Sequence, residues 1–196
     1  MRVIPEAPAL ALGDGPSPAG PYVVAVGDLR QKKNLRTLVT AFAGLHRRGQ
    51  LPHRLVLAGV DSGEGASLRR LAGAAPLELT GYLSDVDLDA LIRGADVLVH
   101  PSLYEGFGLV VLEVMARGVP VIAARATALP QTGGGAALYF DPGTDGGTQE
   151  LETVLAALLS NRAERDARRH AGREWAASFS WEAAARRTIK VYRELV

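Results

Sequence analysis

His100-Pro-Ser-Leu-Tyr-Glu-Gly-Phe-Gly-Leu-Val-Val-Leu-Glu-Val-Met-Ala-Arg-Gly-Val-Pro-Val-Ile-Ala123 is the stretch whose reading decides the fold. An apolar strand, Val97–Val99, leads into it, and an apolar helix from about Leu109 to Arg117 leaves it. Between them lies Gly106-Phe107-Gly108, whose glycines let bare backbone come close to a ligand. The first N–H groups of the helix have no intrahelical partners, and they face the turn with the positive end of the helix dipole. Two carboxylates, Glu105 and Glu113, flank this anion-seeking turn eight positions apart. Such a pairing suits a ligand that brings phosphate to the amides and hydroxyls to the carboxylates.

Outward from this turn the chain alternates strands and helices. Tyr22–Val26 is a continuous apolar run ending at Gly27, as expected of a strand buried on both faces. A helix from about Leu35 to Arg48 follows, with Leu35, Leu38, Val39, Phe42 and Leu45 on one face and Asn34 placed to cap it. Strands at Leu55–Ala58 and Leu77–Thr80 bracket a short helix near Ser67–Ala72, and Ser84 opens a helix to Arg93. Pro120–Ala123 forms the strand after the quoted helix. Residues 124–147 are glycine-rich, with one short apolar run, Ala137–Phe140. The remainder reads as three helices, over 149–159, 162–177 and from Trp181 to near Leu195 with Ser180 as N-cap. This rhythm predicts an α/β fold, a Rossmann-like parallel sheet with helices on both faces. Right-handed crossovers then bring the loops 27–34, 81–84 and 103–108 to one rim of the sheet.

Composition narrows the function. The chain has 196 residues, 47% hydrophobic and 22% charged, with a formal net charge of +1, so nothing in it points to nucleic acid or to a charged membrane surface. There is no cysteine, and the four histidines (46, 53, 100, 170) show no metal-ligand spacing. No apolar run reaches the roughly 18 residues of a membrane span, and no signal peptide opens the chain. A cytoplasmic setting is the expectation, with peripheral membrane association of a full-length enzyme compatible with it. The arginines at 162, 165, 168, 169 and 173 read as a solvated face partly neutralised by Glu164 and Asp166. Only three Lys stand against 19 Arg, and two of them adjoin, Lys32-Lys33.

The Glu105-to-Glu113 segment, with Pro101-Ser102, the Gly-Phe-Gly turn and Gly118-Val-Pro-Val-Ile, resembles the Glu-x7-Glu signature of retaining GT-B glycosyltransferases of family 4, glycosyl transferases group 1. The resemblance covers 22–195 and takes in Lys32-Lys-Asn34, Gly81-Tyr-Leu-Ser84, Ala128-Leu-Pro130 and Phe179-Ser-Trp181. It implies the C-terminal, nucleotide-sugar-binding half of a two-domain GT-B fold. Residues 1–21, with five prolines between 5 and 21 and an opening Arg2-Val-Ile-Pro5, would be the remnant of an interdomain linker, 22–196 the donor domain, and the N-terminal acceptor domain would be absent. The last helix would cross back towards that missing half.

Carried over by position, the catalytic roles fall on Glu105 and Lys33. Donor diphosphate and sugar contacts fall on Lys32, Lys33, Glu105, Phe107, Gly108 and Leu109. Ribose binding falls on Glu113, and base binding near Tyr82 and Leu83, without deciding between uracil, guanine and adenine. No metal and no cofactor are implied, because cations and oriented N–H groups stabilise the departing diphosphate. Asp28 stands where many members have Arg; Lys32 fits a variant with a basic residue next to the Lys, and Arg30 is a third candidate. Gln131 and Gly133-Gly-Gly135 also depart from the family pattern. His100 reads as structural and Arg125 as a surface residue.

The implied reaction is transfer of a sugar from a nucleoside diphosphate-sugar to a hydroxyl acceptor, with this chain alone inactive or very weakly active. The alternative is a non-catalytic nucleotide- or sugar-nucleotide-binding module with half a GT-B fold. A dinucleotide-binding domain is disfavoured, since Gly27-Asp-Leu-Arg-Gln lacks Gly-x-Gly-x-x-Gly, and a phosphate-loop NTPase is excluded because no Gly-Lys-Ser/Thr occurs.

Overall fold

The computed structural model describes residues 4–10, 13, 15–143 and 147–194. The apolar runs become strands β1 (Tyr22–Val26), β2 (Arg54–Ala58), β3 (Leu77–Gly81), β4 (Val97–His100), β5 (Val121–Ala124) and β6 (Leu138–Phe140). They form one sheet in the order β3-β2-β1-β4-β5-β6, with every pairing parallel. Parallel neighbours need crossovers, supplied by helices α1 (Leu35–Arg47), α2 (Gly65–Ala72), α3 (Asp85–Arg93), α4 (Leu109–Ala116) and α5 (Leu129–Gly133). The chain closes with α6 (Gly147–Ser160), α7 (Arg162–Ala177) and α8 (Trp181–Arg193).

Helix α1 packs on α2 and α6, while α4 packs on α5 and α7, so each face of the sheet has its own helical layer. That double cover explains why β4 and β5 are buried at every residue and why their sequences do not alternate. At the base of β1 the fully buried Tyr22 donates its hydroxyl to the carbonyl of Leu91 at 2.6 Å. Burial pushes that phenol up to about 12, so the bond holds across the physiological range. The sheet order reverses between β1 and β4, and the helices that follow these two strands, α1 and α4, pack in different helical layers. A crevice therefore opens at their carboxyl ends, where open α/β sheets bind ligands.

The α/β, Rossmann-like expectation holds, with local differences. Helix α5 forms inside the glycine-rich stretch that carried no helical signal. Burial decides it, with Leu129 and Thr132 fully enclosed and Pro130 tolerated in the first turn. The run Ala137–Phe140 becomes β6, pairing with β5. Asn34 does not cap α1 with its side chain: it adopts the left-handed conformation (φ 51°) after a 3-10 turn at Gln31–Lys33, and its Oδ1 accepts from Thr37 Oγ1 at 2.8 Å. Arg2-Val3 of the opening stretch, Thr144–Gly146 and Leu195 at the end of the last helix lie outside the described residues.

The proline-rich N-terminal stretch has neither helix nor strand in its described residues, yet it is tied down. Ala7 is buried; Leu10 N–H donates to Glu113 Oε1 at 3.1 Å, and Trp181 Nε1 donates to the Pro8 carbonyl at 3.2 Å. The Asp89 carboxylate, 1% exposed, accepts from Gly13 N–H, from Arg93 Nε and from Arg117 Nε. Arg117 also reaches the carbonyls of Leu10 and Glu113. No helix among the described residues is long and apolar enough to cross a membrane.

Candidate active site

The two loops on either side of the sheet reversal meet through Lys33 and Glu105. Lys33 closes the 3-10 turn after β1, and its Nζ donates to Glu105 Oε1 at 2.6 Å. Gly27 makes room for this: at φ 131° it carries no side chain, and a Cβ there would lie 3.1 Å from Lys33 Cε. His100, the last residue of β4, places Nε2 3.1 Å from the same carboxylate oxygen. The two loops are laced together by backbone, with Leu103 N–H donating to the Lys32 carbonyl at 2.9 Å and Ser102 Oγ donating to it at 3.3 Å.

Behind Glu105 stands Thr127. Its hydroxyl accepts from Glu105 N–H at 3.0 Å and donates to the Glu105 carbonyl at 3.1 Å. Thr127 sits at φ 45°, a conformation a β-branched residue adopts only under constraint, and such strain gathers where a site must be held still. Burial pushes the Glu105 carboxyl up, but hydrogen bonds from His100 and Lys33 and the Lys33 charge outweigh it. The group is therefore held well below the usual carboxylate range and is ionised at every physiological pH.

The Gly-Phe-Gly turn is buttressed from behind. Gly108 is the N-cap of α4 in the left-handed region, at φ 96°. A Cβ there would come within 2.8 Å of Leu129 Cδ2. Thr132 Oγ1 donates to the Phe107 carbonyl, while Trp175 Nε1 donates to the Thr132 carbonyl at 2.7 Å. The Phe107 ring meets Phe179 edge-on at 6.3 Å, and Phe179 in turn meets Trp175 at 5.5 Å. Helix α4 has no acidic residue in its first turn, which leaves its N-terminal amides and dipole uncompensated.

These groups line a cavity of about 560 Å³ bounded by Lys33, His100, Glu105, the Gly-Phe-Gly turn and Leu109, with Ile4 and Glu6 of the N-terminal stretch on its edge. The structure thus brings Lys33, Glu105, Phe107, Gly108 and Leu109 together, as the sequence reading placed them. Lys32 does not line the cavity; its carbonyl serves the loop lacing instead. Glu113, one helical turn further along α4, is outside the lining, and its Oε1 is taken by the amides of Leu10 and Ala9. Tyr82 and Leu83 line a separate hollow of about 170 Å³ with Gly27, Asp28 and Gly59. Arg30 turns to Asp28 at 3.0 Å, and Arg125 lies over the Tyr139 ring at 5.1 Å, away from the cavity.

His100, expected to be structural, holds the central carboxylate in place. Its position at a strand end on the shared rim was the only signal. Glu6, Thr127 and Thr132 were also missed, and no spacing announced them. Among the described residues no group of three or more His, Asp or Glu side chains lies close enough together to hold a metal ion.

Comparison with known proteins agrees with this geometry. The model of the family "Glycosyl transferases group 1" matches residues 15–175. The O-antigen chain mannosyltransferase B of Escherichia coli is 33% identical over 181 residues, covering 89% of this chain and 46% of that protein. A sulfoquinovosyl transferase of Arabidopsis thaliana is 32% identical over 182 residues, covering 90% of this chain and 33% of that protein. The chain thus spans half or less of the length of these relatives. Among solved structures, the sucrose-phosphate synthase of Thermosynechococcus elongatus superposes with a TM-score of 0.73 at 31% identity, over 91% of this chain and 46% of that one. With its parallel sheet, its Lys33–Glu105 pair and its Gly-Phe-Gly helix entry, the chain belongs to the glycosyl transferases group 1, a family of GT-B glycosyltransferases.

Proposed function

We propose that this chain is the donor-binding half of a retaining glycosyltransferase that moves a sugar from a nucleoside diphosphate-sugar to a hydroxyl acceptor. The observation that carries the reading is the cavity at the sheet reversal, where a lysine, an ionised glutamate and a helix N-terminus converge.

As the bond to the diphosphate breaks, negative charge grows on the leaving group. The Lys33 ammonium and the amides at Gly108 and Leu109 are the groups placed to stabilise it, without a metal ion. Because both are already fixed, by Glu105 and by the Thr132 buttress, they need little reorganisation when charge develops. Glu105 has a second duty. Its Oε1 carries the contacts to Lys33 and His100, while Oε2 has no hydrogen bond among the described residues and is available to a sugar hydroxyl. Glu113 is assigned to the ribose hydroxyls, with its Oε1 already oriented by the amides of Ala9 and Leu10 and its Oε2 without a hydrogen bond among the described residues.

The acceptor side belongs to a second domain. Helix α8 supports this: Trp181, Ile189 and Tyr192 recur at helical spacing and are 50%, 48% and 65% exposed, an apolar stripe fit to be covered by the other half of a protein about twice this length. Closure of the two halves would expel water from the cleft.

Calorimetric titration of the 196-residue chain with UDP, GDP and ADP, without and with magnesium, tests the reading. Saturable binding of one of them, unaffected by magnesium and weakened about tenfold or more by Lys33→Ala and by Glu113→Ala, is expected. No binding by the folded chain would overturn it.

A further inference from the structure

Given the donor site proposed above, we infer that the base it selects is guanine, and that the Asp85 carboxylate makes the selection. The hollow of about 170 Å³ lies where the loops after β1, β2 and β3 meet, and its walls include Gly27, Asp28, Gly59, Val60, Tyr82 and Asp85. It adjoins the proposed diphosphate site, because Gly27 in its wall lies directly against the Lys33 side chain. Gly27 is shared with the narrow space around Lys33, and Lys33 and His100 are shared between that space and the main cavity. A ligand with its charged centre at Lys33 has this hollow within the neighbourhood of its other end.

The hollow is lined in a way that can serve as a slot for a flat ring. Tyr82 is 79% exposed and Val60 47% exposed, so two apolar side chains stand at its mouth with no protein packed over them. Gly59 leaves bare backbone between them. An aromatic face offered to solvent beside bare backbone is how proteins stack a nucleobase, and stacking alone accepts every base.

Two carboxylates line the slot, and they differ. Asp28 is paired with Arg30 at 3.0 Å. Asp85, the first residue of α3, has no hydrogen bond or ion pair among the described residues. The cap of that helix is already made without it: Ser84 Oγ accepts from Asp87 N–H and donates to the Asp87 carboxylate at 2.6 Å.

A carboxylate only accepts hydrogen bonds, through two adjacent oxygens. Guanine presents two adjacent donors, N1–H and the N2 amino group, and meets it with both. Uracil offers one N–H between two carbonyl oxygens that the carboxylate repels. Adenine offers an amino group beside an acceptor nitrogen. Of the three, only guanine matches Asp85 with two donors and no opposed acceptor.

The test is calorimetry on the full chain with GDP, IDP, UDP and ADP, for wild type, Asp85→Asn and Lys33→Ala. IDP is GDP without the N2 amino group. GDP is expected to bind about tenfold or more tighter than the other three. Asp85→Asn should bring GDP and IDP to near-equal affinity and, with the repulsion of the uracil carbonyls gone, should tighten UDP. Lys33→Ala should weaken all four and preserve their ratios. Since Asp85 is exposed, the variant is expected to keep the wild-type melting curve, and Asp85→Ala serves as the second substitution should it not. If UDP, ADP or IDP binds as tightly as GDP, or if neither substitution changes the GDP-to-IDP ratio, the guanine assignment is overturned while the donor site stands. If the folded chain binds none of the four, the donor site and this inference fall together.

Discussion

Lys33 and His100 both address one oxygen of Glu105, at 2.6 Å and 3.1 Å, and removing them has a predictable sign. The largest influence on the Glu105 carboxyl is burial, which raises it, and the two partners more than cancel that. With Lys33→Met the carboxyl should titrate higher than in the wild type. In the Lys33→Met, His100→Leu double variant, which keeps neither donor, it should titrate above the ordinary 4.5, because burial is then unopposed by these two partners. Carbon-detected NMR titration of the Glu side chains reads this directly; a Glu105 signal that stays put in the double variant would mean the contacts are not made in solution. Since the folded-state value is depressed, the pair contributes stability above pH 4.5, and that contribution is lost progressively as the pH falls below it. Lys33 and Glu105 were legible in the sequence because the family resemblance singled out both residues and crossover handedness sends their loops to one rim. Thr127 was not. Its role depends on a strained φ and on two backbone hydrogen bonds, and neither leaves a mark in residue spacing.

At the scale of the element, the two glycines of the Gly-Phe-Gly turn are not equivalent. Gly108 has positive φ and a leucine methyl within 2.8 Å of any added Cβ, whereas Gly106 has ordinary φ and nothing within 4 Å. Gly108→Ala is therefore expected to cost about 1–3 kcal/mol in chemical denaturation, and Gly106→Ala less than about 0.5 kcal/mol. Equal costs would show that the α4 entry is not held in the left-handed conformation. The buttress predicts a third effect. Thr132→Val keeps the shape of the side chain but removes the hydroxyl that holds the Phe107 carbonyl, so nucleotide affinity should fall about threefold to tenfold with the fold intact. The strands and longer helices could be read from apolar runs and helical periodicity. Helix α5 could not, because its Leu-Pro-Gln-Thr-Gly sequence is a poor helix by propensity and forms where tertiary burial of Leu129 and Thr132 outweighs that preference.

Across the whole molecule, the N-terminal stretch is the part whose role composition concealed. Five prolines in residues 5–21 read as a loose linker, yet the stretch is strapped down, for the most part by Asp89, Arg93, Glu113 and Arg117 on or next to two helices far along the chain. Most of their contacts are to backbone N–H and C=O groups, which carry no sequence signature. Asp89 is the hinge of this arrangement. Burial raises its carboxyl, and hydrogen bonds from Arg93, Arg117 and the Gly13 amide bring it below its ordinary 3.8. The strap should thus be secure above that pH and loosen as pH falls below it. Asp89→Leu removes the buried ion pair to Arg117 Nε, a loss of about 3–5 kcal/mol for a buried pair. Hydrogen exchange should then quicken at Leu10 and Gly13 while the amides of β1 and β4 stay protected. Simultaneous loss of protection in the sheet would mean the strap is part of the cooperative core. The exposed stripe of α8 gives the complementary expectation. Ile189→Gln with Tyr192→Gln alters only exposed side chains, so the isolated chain should keep its stability to within about 0.5 kcal/mol. In a protein that also contains the acceptor half, the same pair should lower sugar transfer severalfold, because the stripe on α8 would there be buried against that half. A large stability loss in the isolated chain would instead place the stripe in this domain's own core, and α8 would no longer speak for a second domain.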